Sequence, residues 1–117
     1  QRLRPEKAFF DSYIYFKIDP SFKTSDRMNL KATVEYFDAT PCTFFIEFDG
    51  WDQNAKHEGA YSRSEERVRL GGEQRWKTAE FTLKGCRLAN RQNGGADVRI
   101  RAENSEFFVH SMTIERE

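Results

Sequence analysis

Alternating apolar and polar residues dominate the chain and predict β-strands. Leu30, Ala32, Val34 and Tyr36 are each separated by one residue, which is the two-residue period of a strand with one face on a core. Conversely, no window of eleven or more residues keeps apolar residues at the i, i+3, i+4 and i+7 positions of an amphipathic helix. The pattern therefore predicts a mostly β fold.

The same alternation recurs in further short segments and indicates seven or eight strands in all. These segments cover residues 13–18, 44–49, 67–70, 78–83, 97–101 and 107–114. In the last segment the apolar period slips by one residue at His110 and Ser111, which predicts a β-bulge. Several short strands without helices favour two antiparallel sheets packed face to face, and we expect a jelly-roll β-sandwich.

Turn residues indicate how two of these strands connect. Residues 38–41, Asp-Ala-Thr-Pro, have the length and composition of a hairpin connection, so the strands on either side are predicted to pair antiparallel. The Gly94-Gly95 pair beside Asn93 predicts a tight turn with positive φ, in which polar side chains bond their own backbone.

The chain of 117 residues has the length of one domain with a single core. Residues 1–7 are polar and without periodicity, so we expect a terminal linker there and the β-sandwich over residues 8–117. The polar stretch 49–66 is long for a compact domain, and such connections are usually functional or mobile. No apolar run approaches the ~18 residues that a membrane crossing needs, so no membrane partner is expected.

Charge and cysteine content exclude some partners. The 19 basic and 19 acidic side chains are interspersed, whereas nucleic-acid binding normally requires a clustered excess of Lys and Arg; nucleic acid is therefore not an expected partner. Cys42 and Cys86 are too few and too far apart for a zinc-finger pattern. The sequence leaves open whether they are two free thiols or one disulfide.

Catalytic chemistry has little support in the sequence. His57 and His110 lie in no motif that supplies a nucleophile and an orienting acid, and two histidines do not furnish a cupin-type metal cluster. Glu35 and Glu47 would be the acid and base of a glycosidase if they faced each other on neighbouring strands. Paired surface charges are commoner than catalytic pairs, so we expect a domain without enzymatic activity.

No cofactor is expected, although a structural calcium ion is an alternative. Its oxygen ligands would come from Asp11, Asp19, Asp97 and loop carbonyls at the sandwich edge. Acidic residues at turns more often bond their own backbone, which is the competing interpretation.

Aromatic residues suggest a binding surface. Eleven Phe, four Tyr and two Trp exceed what a small core can absorb, and an exposed flat ring beside polar side chains suits the apolar face and hydroxyl rim of a pyranose. Two arrangements are predicted. A concave-face site would use Phe37, Phe45, Glu35 and Glu47, and an edge site would use Trp51, Tyr61, Asp52 and Asn54. The alternative is that loops cover the outward rings; Trp76, which begins a strand, is expected to pack at the sandwich edge.

Four segments together resemble a known family. They are residues 34–38 (VEYFD), 43–49 (TFFIEFD), 76–81 (WKTAEF) and 89–100 (ANRQNGGADVRI). Over residues 9–116 the chain resembles the β-sandwich accessory domains attached to bacterial polysaccharide-degrading enzymes, which are similar to carbohydrate-binding modules. The NRQNGGAD segment and the WKT strand are its most distinctive parts.

The resemblance implies a non-catalytic jelly roll that holds a covalently attached glycoside hydrolase or lyase near its polysaccharide, outside the cell. A β-glucan or another plant or algal glycan is the expected ligand. The alternative is a structural spacer or docking domain that packs on a catalytic domain, with Phe37 and Phe45 at the interface.

Overall fold

A computed structural model describes residues 11–25, 27–103 and 105–117 and contains eight β-strands within them. The strands are β1 (Ser12–Phe16), β2 (Met28–Phe37), β3 (Cys42–Phe48), β4 (Ser62–Arg63), β5 (Val68–Leu70), β6 (Trp76–Cys86), β7 (Val98–Ala102) and β8 (Phe108–Arg116). Short 3-10 turns occur at Pro20–Phe22, Lys56–Gly59 and Asn93–Gly95. Across these three ranges, no helix has the length and apolarity of a membrane span. The predicted linker 1–7 and the domain start at residue 8 lie outside the described residues.

The strands form two antiparallel sheets. The first sheet has the order β1-β7-β3-β4, with β5 also paired to β3, and the second has the order β6-β2-β8. The chain passes from one sheet to the other between β1 and β2, β2 and β3, β5 and β6, β6 and β7, and β7 and β8. Such sheet-to-sheet connections are typical of a jelly roll, and the predicted β-sandwich is confirmed.

The predicted hairpin between β2 and β3 is wrong. β2 pairs with β6 and β8, whereas β3 pairs with β4, β5 and β7. The connection leads the chain from one sheet to the other instead of reversing its direction within one sheet. Its first residue, Asp38, donates its N–H to the carbonyl of Arg75 at 2.9 Å and accepts the N–H of Gln74 at 2.8 Å. A four-residue turn suits both geometries, so its length and composition do not distinguish them.

The core forms where the inward faces of the two sheets meet. The predicted alternation is confirmed, because Leu30, Ala32, Val34 and Tyr36 of β2 are all buried. Phe44 of β3 is fully buried, and its ring lies 4.8 Å from that of Tyr36, centroid to centroid. Aromatic packing across the two sheets therefore holds the sandwich together at this end.

The predicted β-bulge in β8 is confirmed. Glu35 of β2 pairs with Ser111, whereas the next residue, Tyr36, pairs with Val109. His110 is thus the extra residue, and it allows Val109 and Met112 both to pack against the core.

Cys42 and Cys86 are both free thiols, so the disulfide alternative is wrong. Cys42 begins β3, whereas Cys86 pairs with Gly50, just beyond the other end of the same strand. At roughly 3.3 Å per residue this separates the two positions by more than 20 Å, far outside bridging distance. Burial raises the pKa of Cys86 to about 12, which makes its thiol unreactive.

Candidate functional site

The outer face of the first sheet carries aromatic and charged side chains in register. Tyr15, Arg99 and Glu47 stand side by side on β1, β7 and β3, and Arg63 of β4 continues the row. These side chains point away from the core because neighbouring positions of each strand alternate between faces. Glu47, Arg63 and Arg99 border a cleft of about 290 Å³, here called the arginine cleft, which is lined by Glu47, Ala55, Lys56, His57, Tyr61, Arg63, Arg99 and Arg101.

Glu47 holds the arginines of the cleft in place. Its side chain is 4% exposed, and its Oε1 accepts hydrogen bonds from Arg99, Nε at 2.8 Å and Nη2 at 2.7 Å. Its Oε2 lies 3.6 Å from Nη1 of Arg101 and 3.9 Å from Nε of Arg63. One buried carboxylate thus holds Arg99 through two hydrogen bonds and attracts Arg101 and Arg63 at longer distance.

Tyrosine rings surround Arg99. Its guanidinium carbon lies 4.3 Å from the ring centre of Tyr13 and 4.0 Å from that of Tyr61, within cation–π range. Its Nη1 also donates to the hydroxyl oxygen of Tyr15 at 3.0 Å. Tyr13 itself is 41% exposed, so a flat ring remains open to solvent beside the cleft.

The two central arginines remain cationic. Burial acts to lower the pKa of Arg99, but the hydrogen bonds with Tyr15 and Glu47 outweigh it and raise that pKa. Burial acts to lower the pKa of Arg101 as well, but the hydrogen bond with Asp11 and the nearby charges of Glu47 and Asp11 together raise it. The guanidinium groups of Arg99 and Arg101 therefore keep their positive charge at neutral pH.

The segment 90–97 holds the loop wall of the cleft in position. Gln92 donates from Nε2 to the carbonyl oxygens of Glu47 and Ala60, at 3.0 and 2.9 Å. The N–H of Asn93 donates to the hydroxyl oxygen of Tyr61 at 2.9 Å. The long polar stretch 49–66 therefore forms one side of the cleft, tied to the sheet by the segment that is most distinctive in sequence.

The remaining residues of that segment have structural partners as well. Arg91 donates to the buried carboxylate of Asp49 at 2.8 Å and to the carbonyl of Glu58 at 2.9 Å. Gly94 has a φ of 72°, and Asn90 donates to the carbonyl of Gly95 at 2.7 Å. The sequence predicted a turn with positive φ whose polar side chains hydrogen-bond to its own backbone, and this prediction is confirmed.

The acidic residues considered for calcium serve separate purposes. Asp97 accepts from the N–H of Ile18 and from Lys23, the latter at 2.9 Å, whereas Asp11 forms an ion pair with Arg101. Asp19 accepts the N–H of Ser21 at the Pro20–Phe22 turn. Within the described ranges, no group of three or more His, Cys, Asp or Glu residues is placed to hold a metal ion.

The members of the predicted edge site lie in two places. Trp51 is 42% exposed, and, as with Tyr13, a guanidinium covers one face of its ring, here that of Arg27 at 3.8 Å; the backbone N–H of Trp51 donates to the carbonyl of Gly85. Asp52 and Asn54 are exposed and bonded to each other, since Asp52 Oδ1 accepts the N–H of Asn54. The fourth predicted member, Tyr61, lies in the arginine cleft instead.

The predicted concave-face site is divided between the two sheets. Phe45 and Glu47 belong to the first sheet, whereas Phe37 and Glu35 lie on the outer face of the second, so the two glutamates do not face each other. Phe45 was expected to be exposed but is 1% exposed. The guanidinium groups of Arg67 and Arg63 cover its ring, at 4.6 and 5.1 Å from the centroid.

A second exposed surface lies on the other sheet. Trp76, Phe37 and Phe108 stand in one line across β6, β2 and β8, and we call them the aromatic row. Trp76 is 53% exposed and Phe108 50% exposed, whereas Phe37 is half-buried between them. The ring of Trp76 packs edge-on against Phe37 at 5.4 Å and against His110 at 5.9 Å.

Sequence reasoning did not identify several residues of the arginine cleft. Tyr13, Tyr15 and the arginines at 63, 99 and 101 become neighbours only through the pairing of strands that are distant in sequence. One local signal was available: Arg99 and Arg101 alternate with the buried Val98 and Ile100, which places both arginines on the outer face.

Comparisons with protein-family models, curated proteins and solved structures gave no match to this chain.

Proposed function

We propose that this domain is a non-catalytic carbohydrate-binding module and that the arginine cleft is its binding site. The observation that carries the proposal is an open cleft of about 290 Å³ on an outward sheet face, lined by the ring of Tyr61 and by arginines, among them Arg99, which Glu47 holds and against which Tyr13 also packs. This volume is close to the lower limit of small-ligand sites, about 300 Å³, and suits a short stretch of sugar chain.

The chemistry of these side chains fits sugar recognition. Tyrosine rings offer flat apolar faces to the C–H groups of a pyranose, while guanidinium N–H groups donate to its hydroxyl and ring oxygens. Because Glu47 holds Arg99 and Asp11 holds Arg101 beforehand, little side-chain entropy is lost when a ligand binds. The pairing also favours a binding role over catalysis, since both oxygens of Glu47 already interact with arginine.

In the biological context that we propose, the module is part of a larger extracellular protein. It would bring an attached glycoside hydrolase or lyase close to a plant or algal polysaccharide. The resemblance in the sequence supports this context, and the cleft supplies a surface on which the polysaccharide would bind.

Affinity gel electrophoresis of the 117-residue chain on a panel of soluble polysaccharides tests the proposal. Retardation by at least one glycan is expected, with a dissociation constant about fivefold higher for Tyr13→Ala, because an exposed ring beside a binding site contributes ~1 kcal/mol. Trp51→Ala and Trp76→Ala are matched controls that remove an exposed ring elsewhere. If only a control variant loses retardation, the site lies at that tryptophan; if no glycan retards the wild type, the proposal is wrong.

The aromatic row favours a second function, docking on a neighbouring domain. Three adjoining rings, two of them about half exposed, form the kind of apolar patch that protein interfaces cover. Hydrogen exchange of β6 and β8 would be measured in the intact parent protein and in the 117-residue chain. Slower exchange near Trp76 and Phe108 in the parent is expected for docking, whereas equal rates would contradict it.

A further inference from the structure

We infer that the arginine cleft selects an acidic glycan, one whose sugars carry carboxylate or sulfate groups. This inference depends on the proposed function and specifies the ligand of the same site. It follows from the positive charges that line the cleft, which contrast with the zero net charge of the whole chain, and from the hydrogen-bond donors that remain unused in the cleft.

The cleft has an excess of positive charge. Four cationic side chains line it, those of Lys56, Arg63, Arg99 and Arg101, against the single carboxylate of Glu47. The carboxylate of Asp11, which is paired with Arg101, reduces this excess by one without cancelling it. The lining of the cleft is therefore predominantly positive, although the whole chain carries no net charge. Such a cleft concentrates anionic ligands and raises their association rate.

Two of the cations have capacity for a ligand. Lys56 is exposed and has no ion pair with any residue in the described part of the chain. The side chain of Arg63 is 57% exposed, and its contact with Glu47 is long, at 3.9 Å. A guanidinium has five N–H donors in a planar arrangement that matches carboxylate or sulfate oxygens in pairs. Arg63 is therefore the side chain that we expect to bind the acidic group.

Acceptors for a neutral sugar are scarce by comparison. Each sugar hydroxyl donates as well as accepts, so a site for a neutral glycan needs side-chain acceptors such as carboxylates and amides. The one carboxylate that lines the cleft is that of Glu47, whose oxygens already interact with arginines, and the hydroxyl oxygen of Tyr61 already accepts the N–H of Asn93. An anionic sugar, which brings additional acceptor oxygens, complements this donor-rich lining better.

Affinity gel electrophoresis with four polymers tests the inference. Polygalacturonate supplies carboxylates, carrageenan supplies sulfates, a mixed-linkage β-glucan is neutral, and polyglutamate is an anion without sugar rings. We expect retardation by polygalacturonate, carrageenan or both, and which of them is effective identifies the acidic group. Raising the salt from 50 to 500 mM should weaken that binding, because salt screens exposed charges.

The matched variants are Arg63→Gln and Arg75→Gln. Each removes one exposed arginine, but Arg75 precedes β6 and pairs with Glu73, away from the cleft. Arg63→Gln should weaken binding of the acidic glycan about tenfold or more, the effect of losing a charge-assisted contact, and Arg75→Gln should leave it unchanged. Melting temperatures establish that both variants fold, and Lys56→Gln replaces Arg63→Gln if that variant does not.

The outcomes separate this inference from the function on which it depends. Retardation by the neutral β-glucan alone would overturn the acidic specificity and leave the binding module standing. Retardation by no polysaccharide would overturn both. Equal binding to polyglutamate, or acidic-glycan binding that is unaffected in Arg63→Gln, would overturn the inference as well.

Discussion

Gly85 determines how Trp51 packs beside the end of β6. Its φ is +72°, and a Cβ atom built on it would overlap the Cδ1 and Nε1 atoms of the indole. The close approach of backbone and ring therefore requires glycine, and it holds Trp51 on the sandwich while Arg27 covers one face of the ring.

Gly85→Ala should destabilise the protein by roughly 2–4 kcal/mol, because it adds steric overlap with Trp51 to the strain of a positive φ. The matched variant is Gly94→Ala, which has the same φ but no atom within 4 Å of the added methyl group. It should cost only about 1 kcal/mol. Urea denaturation measures both, and equal losses would show that the overlap with Trp51 is unimportant.

Glu47 is the residue on which the cleft geometry depends. Glu47→Gln removes the negative charge that lies between the guanidinium groups. Arg99, whose side chain is only 13% exposed, then has no anionic partner at this position. Breaking such a pair from one side costs about 3 kcal/mol. Glu80→Gln is the control, since its exposed contact with Lys31 at 3.7 Å contributes at most about 1 kcal/mol. A similar loss of unfolding free energy in both variants would contradict this role for Glu47.

At the scale of strands, the sequence predicted the elements better than their partners. The two-residue alternation identifies β2, β3, β6 and β7 because burial on one face acts locally, within each strand. The partner of a strand depends on which sheet the strand joins, and the residues of the connection 38–41 do not indicate the sheet. The error at this connection also misplaced Glu35 and Glu47, which were expected to share a surface.

The bulge in β8 gives a test at the same scale. When His110 is deleted, only Ser111 separates Val109 from Met112. The regular alternation of the strand then keeps both apolar side chains on the core face. The loss of stability should stay within about 1 kcal/mol. Deleting Thr113 instead replaces Met112 by Ser111 on the core face and should cost at least ~2 kcal/mol. Thermal unfolding compares the two deletions, and equal destabilisation would argue against the bulge assignment.

For the whole molecule, the two outer faces differ in chemistry although the net charge is zero. The composition could not show this, because positions 63, 99 and 101 meet only after β4, β3 and β7 pair. Charges that are interspersed in the sequence therefore gather on the outer face of the first sheet, where three arginines meet. Both Trp51 and Phe45 were expected to be exposed. Trp51 is exposed, whereas arginines from other parts of the chain cover the ring of Phe45.

We expect Lys77 to control how stable the whole molecule is at acidic pH. Burial acts to raise the pKa of Asp38, but the ion pair with Lys77 at 3.0 Å and backbone N–H groups outweigh it and lower that pKa to about 2. The hydrogen bond with Lys77 also lowers the pKa of Glu73. Both carboxylates therefore stabilise the fold above their unfolded pKa values near 4, and this contribution is lost as the pH falls towards 2.

Lys77→Met should move the midpoint of acid unfolding to higher pH, because the pKa of Asp38 in the folded state then rises. Circular dichroism between pH 7 and pH 2 measures the transition. Lys84→Met is the control, since Lys84 pairs with Glu65 on the surface, where both side chains are more than half exposed. Identical acid transitions in the two variants would contradict the assignment.

The placement of the two tryptophans has a spectroscopic consequence. Trp76 begins β6 and Trp51 bonds to Gly85 near its other end, so the two indoles are roughly 30 Å apart along one strand. Their emission would report on opposite ends of the molecule, and single-tryptophan variants would show whether these ends melt together. Neither indole lines the arginine cleft, so ligand occupancy there would have to be followed through tyrosine signals instead.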